Sequence, residues 1–119
     1  MLKIDLSFQI DKEFIQEVMY KALTQGSTYW IEDVKHVKED PMLTSFSTSF
    51  ATGYDLAITN NYNHRTKHIN LKDFKRGFTA YCKHRINNKL PIYYTSEEID
   101  IDIADEIMQF VVFKEIIFG

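Results

Sequence analysis

Apolar and polar residues alternate at the start of the chain: Leu2, Ile4, Leu6, Phe8 and Ile10 against Lys3, Asp5, Ser7 and Gln9. This period of two predicts a half-buried strand over 2–10. The period then lengthens. Phe14, Val18 and Ala22, beside Ile15, Met19 and Leu23, share one helical stripe. With Asp11 as cap, Glu13 in the first turn and Gly26 as stop, they predict a helix near 12–25. Tyr29 to Val37 reads as a strand, and Asp40-Pro41 breaks it. The hydroxyl-rich run 44–52 reads as loop or weak edge strand. Tyr54 to Thr59 is a strand, Asn60-Asn61-Tyr62-Asn63 a hairpin turn, and about 66–70 the return strand. Asn70 and Asp73 form a capping pair for a helix over 71–87, whose inner face carries Leu71, Phe74, Phe78, Tyr81, Cys82 and Ile86. Ile92-Tyr93-Tyr94 reads as a short strand. A third helix, near 102–113 and capped by Asp100 or Asp102, turns Ile103, Ala104, Ile107, Met108 and Val111 inward. Lys114 to Phe118 reads as a last strand. Strands and helices do not alternate regularly. The pattern predicts a single α+β domain over 1–119, with a small antiparallel sheet packed against about three helices.

Composition adds a few exclusions. The 119 residues are 45% hydrophobic and 26% charged, with four glycines and two prolines, which excludes a disordered tail or a collagenous repeat. Nine Phe, seven Tyr and one Trp suffice for a core with rings left for a contact surface. Tyr29-Trp30, Phe110, Phe113 and Phe118 read as core; Tyr62, Tyr93 and Tyr94, near turns, read as exposed anchors. A single cysteine, Cys82, excludes an internal disulfide framework and a four-cysteine zinc site. Met1 to Asp5 alternates in polarity, so no signal peptide is expected, and no run approaches the roughly 18 residues that span a bilayer. The expectation is a cytoplasmic protein.

Charge changes the picture more. Residues 64–89 hold eight bases (Arg65, Lys67, Lys72, Lys75, Arg76, Lys83, Arg85, Lys89) against one acid, Asp73. Residues 1–63 carry five bases and nine acids, and 90–119 one base and seven acids. A net charge of −3 therefore hides a strongly dipolar chain. The basic segment is a candidate surface for phosphate backbones, with Tyr62, His64 and Tyr81 as neighbours for stacking or polar contacts. The competing reading is a solvated helix face, or one paired with the acidic C-terminal part of the same fold.

Glu97, Glu98, Asp100, Asp102 and Asp105 are the densest carboxylates. They lack the glycine and the terminal glutamate of an EF-hand loop, and the alternating Ile99, Ile101 and Ile103 points to a strand entering a capped helix. Exposed, they would imitate phosphates or meet a basic partner. His64 and His68 have i, i+4 spacing in a segment read as turn and strand, and Cys82 with His84 gives no recognised zinc half-site, so no metal is expected. Cys82 lies on an apolar stripe and reads as an inert thiol. No nucleophile elbow, phosphate-cradling glycine loop or zinc-protease motif occurs. Carboxylates and histidines suffice for a small acid/base enzyme, yet spacing singles out no pair. The expectation is no catalytic residue and no cofactor.

Three stretches carry a resemblance. Ala22-Leu23-Thr24-Gln25-Gly26-Ser27-Thr28-Tyr29-Trp30 has the form A-L-x-x-G-x-x-Y-W. Leu71 to Tyr81 has the form L-x-x-x-x-x-G-h-x-x-Y, with h apolar. Ala104 to Gly119 follows A-D-x-I-h-Q-h-x-h-F-G-E-h-h-F-G, except that Lys114 stands where a glycine is usual. Together they resemble a group of small proteins encoded by bacteriophages and mobile elements. The resemblance implies a fold and a genomic setting, and it carries no catalytic residues. Small phage proteins without enzymatic motifs are often antagonists of host systems, CRISPR inhibitors included, which is an argument by analogy.

The leading expectation is thus a non-enzymatic phage or mobile-element protein that blocks a bacterial defence complex, such as a CRISPR effector. Its surface would be the basic set Arg65, Lys67, Lys72, Lys75, Arg76, Lys83 and Arg85 with Tyr62, or the acids Glu97, Glu98, Asp100 and Asp102. The alternative is a nucleic-acid or nucleotide-ligand binding module with another role, and the third reading is a small enzyme.

Overall fold

Each main helix starts where a side chain accepts the first free backbone N–H. In the computed structural model, which describes residues 10–38 and 45–118, Asp11 Oδ1 accepts from Phe14 N at 2.8 Å and opens α1, Lys12–Lys21. Asn70 and Asp73 form a reciprocal capping box that opens α3, Leu71–Asn87. Of the two candidate caps of the last helix it is Asp100 that serves, accepting from Ile103 N at 2.8 Å, so α4 runs Ile101–Phe113. The strand expected at 2–10 and the Asp40-Pro41 break lie outside the described residues, Ile10 apart.

The helix predicted to 25 changes pitch: α1 passes at Ala22–Gly26 into a π-helical turn, where Ser27 N donates to Ala22 O at 2.8 Å. Gly26 matters for closeness more than for stopping the helix. A Cβ there would collide with the Ile101 carbonyl oxygen, so the glycine lets the π turn lie against the start of α4. At Gly77 a Cβ would come within 2.6 Å of Val111 Cα, and glycine there lets α3 and α4 cross in contact.

Three strands form one antiparallel sheet in the order β1-β2-β3: Ile31–His36, Leu56–Asn60 and Thr66–Ile69. Val34 faces Ile58, and Ile58 faces Lys67. Leu56 and Ile58 are buried on the face that the helices cover. Within the core, aromatic contacts join helix to helix, Phe14 with Phe78 at 5.3 Å and Phe50 with Phe74 at 6.2 Å between ring centroids. The fold is a small α+β domain, as expected.

Three predicted segments differ. Thr44 lies outside the described residues, and from Ser45 on the hydroxyl-rich run is helical: α2 spans Phe46–Ala51. Its hydroxyls supply the local bonds that the composition seemed to deny it. Ser45 Oγ caps Thr48 N, Ser49 Oγ donates to Phe46 O, and Phe50 fills the core. Residues 92–94 and 114–118 belong to no strand, because side chains take the place of a neighbouring strand. The Tyr81 hydroxyl accepts from Tyr93 N at 3.2 Å. Gln109 Oε1 accepts from Ile117 N and Phe118 N, while its Nε2 donates to Phe118 O.

Lys114 closes α4 in the left-handed region, at φ 67°. A side chain there costs about 1–2 kcal/mol that glycine does not incur. Lys114→Gly is therefore expected to raise the thermal midpoint by a few degrees, measured by circular dichroism, although it removes no contact and adds none.

Candidate functional site

Helix α3 divides its residues cleanly. At 3.6 residues per turn, Lys72, Lys75, Arg76, Thr79 and Lys83 fall within an arc of about 100°, and Lys72 to Lys83 spans about 16 Å of axis. Lys72, Lys75, Arg76 and Lys83 are exposed. Arg76 is tied to Asp73 at 2.7 Å; the ion pairs found among the described residues involve none of Lys72, Lys75 and Lys83. The stripe is thus largely uncompensated, which weighs against its being paired with the acidic C-terminal part.

Arg85 does not join that stripe. It lies on the inner face, 8% exposed, with its guanidinium carbon 5.7 Å from the Tyr81 ring centre and 5.4 Å from that of Tyr93. Its Nε lies 3.6 Å from Glu106 Oε1 and has no hydrogen-bond partner. Burial pushes the Glu106 carboxyl up, against the pull of Arg85 and His84. Arg85 is an internal tie between α3 and α4. Tyr93 is half-buried and not the exposed anchor expected, while Tyr81, fully buried on the inner face as expected, is closed to stacking with a partner.

Arg65 and Lys67 extend the positive charge onto the hairpin. The turn that carries them is held by side chains: Asn60 Oδ1 accepts from Tyr62 N and Asn63 N, and Asn63 Oδ1 accepts from Arg65 N, each at 3.0 Å. Tyr62 projects from it 70% exposed, edge-on to Phe118 at 6.2 Å. His64 is turned to Glu32, 3.1 Å away, and His68 lies on β3, so the two imidazoles share no helix face.

Glu97, Glu98, Asp100 and Asp102 are all exposed. Two of them have local duties, Asp100 at the α4 cap and Glu98 accepting from Thr95 Oγ1 at 2.8 Å. Cys82 is fully buried, and burial pushes its thiol up to about 11, which makes it a poor nucleophile at neutral pH. Among the described residues no three His, Cys, Asp or Glu side chains come together to hold a metal ion.

The tightest polar constellation escaped the sequence reading. Asp105 Oδ1 accepts from Ser27 Oγ and Trp30 Nε1, each at 2.7 Å, and Oδ2 from the Tyr29 hydroxyl at 2.7 Å and Gln109 Nε2 at 3.1 Å. Partial burial, that hydrogen bond and the carboxylate charge push the Tyr29 phenol up to about 12. Tyr29 is 51% exposed, not core, and packs edge-on against Phe118 at 5.9 Å. Phe118 in turn stacks on Trp30, 5.7 Å away and 9° from parallel. A cleft of about 460 Å³ opens on this flank, lined by His84, Asp102, Asp105, Glu106, Gln109 and Phe118 among others. It resembles an acid/base site at first sight. A carboxylate offers about four lone-pair positions, however, and four donors occupy those of Asp105, leaving none for a substrate proton. The signal available beforehand was an acid and a glutamine one turn apart on a largely apolar helix, Asp105 and Gln109.

Several positions that carry the sequence resemblance lie here or at a helix crossing: Gly26, Tyr29, Trp30, Asp105, Gln109 and Phe118 around the carboxylate, Gly77 between α3 and α4. They hold the fold. Compared with family models, with curated proteins and with solved structures, the chain matches none.

Asp105→Ala would strand the buried Ser27 hydroxyl and Trp30 indole N–H without an acceptor, at about 1–3 kcal/mol each. Urea denaturation should show a loss of at least about 2 kcal/mol. Tyr29→Phe, which removes one donor from a half-exposed position, should cost under about 1 kcal/mol.

Proposed function

We propose that this chain is a non-catalytic binding protein whose contact surface is the cationic stripe of α3, continued by Arg65 and Lys67, and whose partner presents a nucleic-acid backbone. The reading rests on one observation above all: Lys72, Lys75 and Lys83 share an exposed face of α3 and take part in none of the ion pairs found among the described residues. Ammonium groups so placed retain their attraction for phosphates, and binding them releases condensed counterions. Support also comes from what the carboxylates do. Asp105 and Glu106 are occupied inside the fold, so they do not oppose a polyanion at the stripe.

In the phage or mobile-element setting that the sequence resemblance implies, the backbone belongs to a host defence ribonucleoprotein in the cytoplasm, a CRISPR effector being the foremost case. The protein would act by occupying nucleic acid, or the channel beside it, without chemistry of its own. Among the described residues no helix is long and apolar enough to cross a membrane, which fits such a setting. The acidic face of Glu97, Glu98, Asp100 and Asp102 is the weaker candidate, since two of those side chains have local duties.

The test is the triple variant Lys72→Glu, Lys75→Glu, Lys83→Glu against a fluorescently labelled 20-nucleotide single strand, read by anisotropy at low salt. All three positions are exposed, so the unfolding midpoint should hold within a few degrees. Affinity should fall by about 30-fold or more. Unchanged affinity in a folded variant would remove the stripe from the binding surface.

A further inference from the structure

Lys67 stands on the wrong side of its strand for an ordinary surface lysine. Directly opposed residues in an antiparallel pair point to the same face, and its partner is Ile58, which is buried under the helices. Lys67 therefore points inward at the sheet's edge and is half-buried. Arg65, two residues earlier, precedes it at the mouth of the same hairpin. Beside them lies a cavity of about 320 Å³, with Asn63, Arg65, Thr66 and Lys67 on the hairpin side and Val112 and Phe113 from the end of α4 on the other.

Three properties set this cavity apart from the cleft beside Asp105. Among the described residues no carboxylate lines it, whereas Asp102, Asp105 and Glu106 line the other. Its two cations take part in none of the ion pairs found among the described residues. Its apolar side ends in an aromatic ring, Phe113, held against Trp30 at 5.0 Å and Phe118 at 5.8 Å. The cations are also pre-positioned, because the amides of Asn60 and Asn63 fix the turn from which Arg65 and Lys67 issue.

Cations and an amide facing an aromatic floor, in a volume at the small end of ligand pockets, suit a molecule with one anionic and one flat apolar end. We propose that this cavity takes one nucleotide unit of a single-stranded nucleic acid. Its phosphate lies on Arg65 and Lys67 and its base against Phe113. A base paired in a duplex cannot enter such a pocket, so the cavity selects single strands, while the α3 stripe attracts any phosphate backbone. Lys67 lies five residues before Lys72, at most about 18 Å away along the chain, so one strand can reach both. The inference rests on the nucleic-acid reading above and gives it a site of selectivity. An inward lysine on an edge strand also discourages sheet-to-sheet pairing, a role that needs neither Arg65 nor the aromatic floor.

The experiment is a titration with uridine 5′-monophosphate, followed by amide chemical shifts of the ¹⁵N-labelled full chain, with uridine and inorganic phosphate as separate arms. The expected result is saturable shifts at Asn63, Thr66, Lys67, Val112 and Phe113, at lower concentration than with either fragment. In Arg65→Ala/Lys67→Met, which keeps the apolar stem of residue 67, affinity should weaken at least tenfold. Shifts caused equally by phosphate alone would reduce the cavity to an anion contact and overturn the proposal, as would saturation that leaves these residues unmoved. The α3 triple variant separates the two readings. It should keep the mononucleotide shifts while losing the 20-nucleotide strand. A wild-type chain that binds the mononucleotide here but no oligonucleotide would sink the backbone-binding reading and overturn the strand's place in the cavity, which would then be a site for free nucleotides.

Discussion

The Asp105 carboxylate is the point on which distant parts of the chain are tied. It receives donors from the turn after α1, from the residue that leads into β1, and from its own helix one turn on. Gln109, which donates to the carboxylate's other oxygen, carries the tie onward to the backbone of residues 117 and 118. Hydrogen bonds to a charged group contribute about 1.5–3 kcal/mol each, against a total stability of about 5–15 kcal/mol for a domain. A large share of the margin thus passes through one side chain. Glycine at 26 is what lets its donors approach, since any Cβ there would push the π turn off the start of α4.

That arrangement decides what the acids are free to do. Asp105 spends its lone pairs on the fold, and Glu106 answers Arg85, a cation held between two tyrosine rings. Lys72, Lys75 and Lys83, on the outer face of α3, take part in no ion pair found among the described residues. An overall charge of −3 therefore coexists with a face whose local sign is positive. Acidic segments on either side of 64–89 would repel a polyanion, and segregation of this kind limits that repulsion, because Asp105 and Glu106 are turned inward and Asp100 caps α4.

Much of the fold was legible because periodicity and capping agreed. The stripe of Phe14, Val18 and Ala22, the Asn70–Asp73 box and the paired asparagines of the hairpin each specify their element locally. Segment 45–51 was not legible, because serine and threonine favour caps, turns and strand edges, and only their bonds to one another and to nearby carbonyls make them helical. Residues 92–94 and 114–118 have strand-like composition, yet their backbone partners are the Tyr81 hydroxyl and the Gln109 amide, contacts that no local pattern announces. Of the candidate surface, the α3 stripe could be read from spacing. Arg85 could not be told from its neighbours by charge alone; its place one turn after Tyr81 and Cys82, on the buried side, is what removes it. The inward turn of Lys67 depends on strand register and was out of reach.

On the proposal made above, uncompensated cations, and not the carboxylate cleft, make this protein's contacts. The most direct measurement is the affinity of the unaltered chain for a single-stranded oligonucleotide at several salt concentrations. Engagement of Arg65, Lys67, Lys72, Lys75 and Lys83 predicts a slope of log affinity against log salt of about −3.5. A slope near zero, with binding still present, would contradict the account and send attention to the cleft beside Asp105.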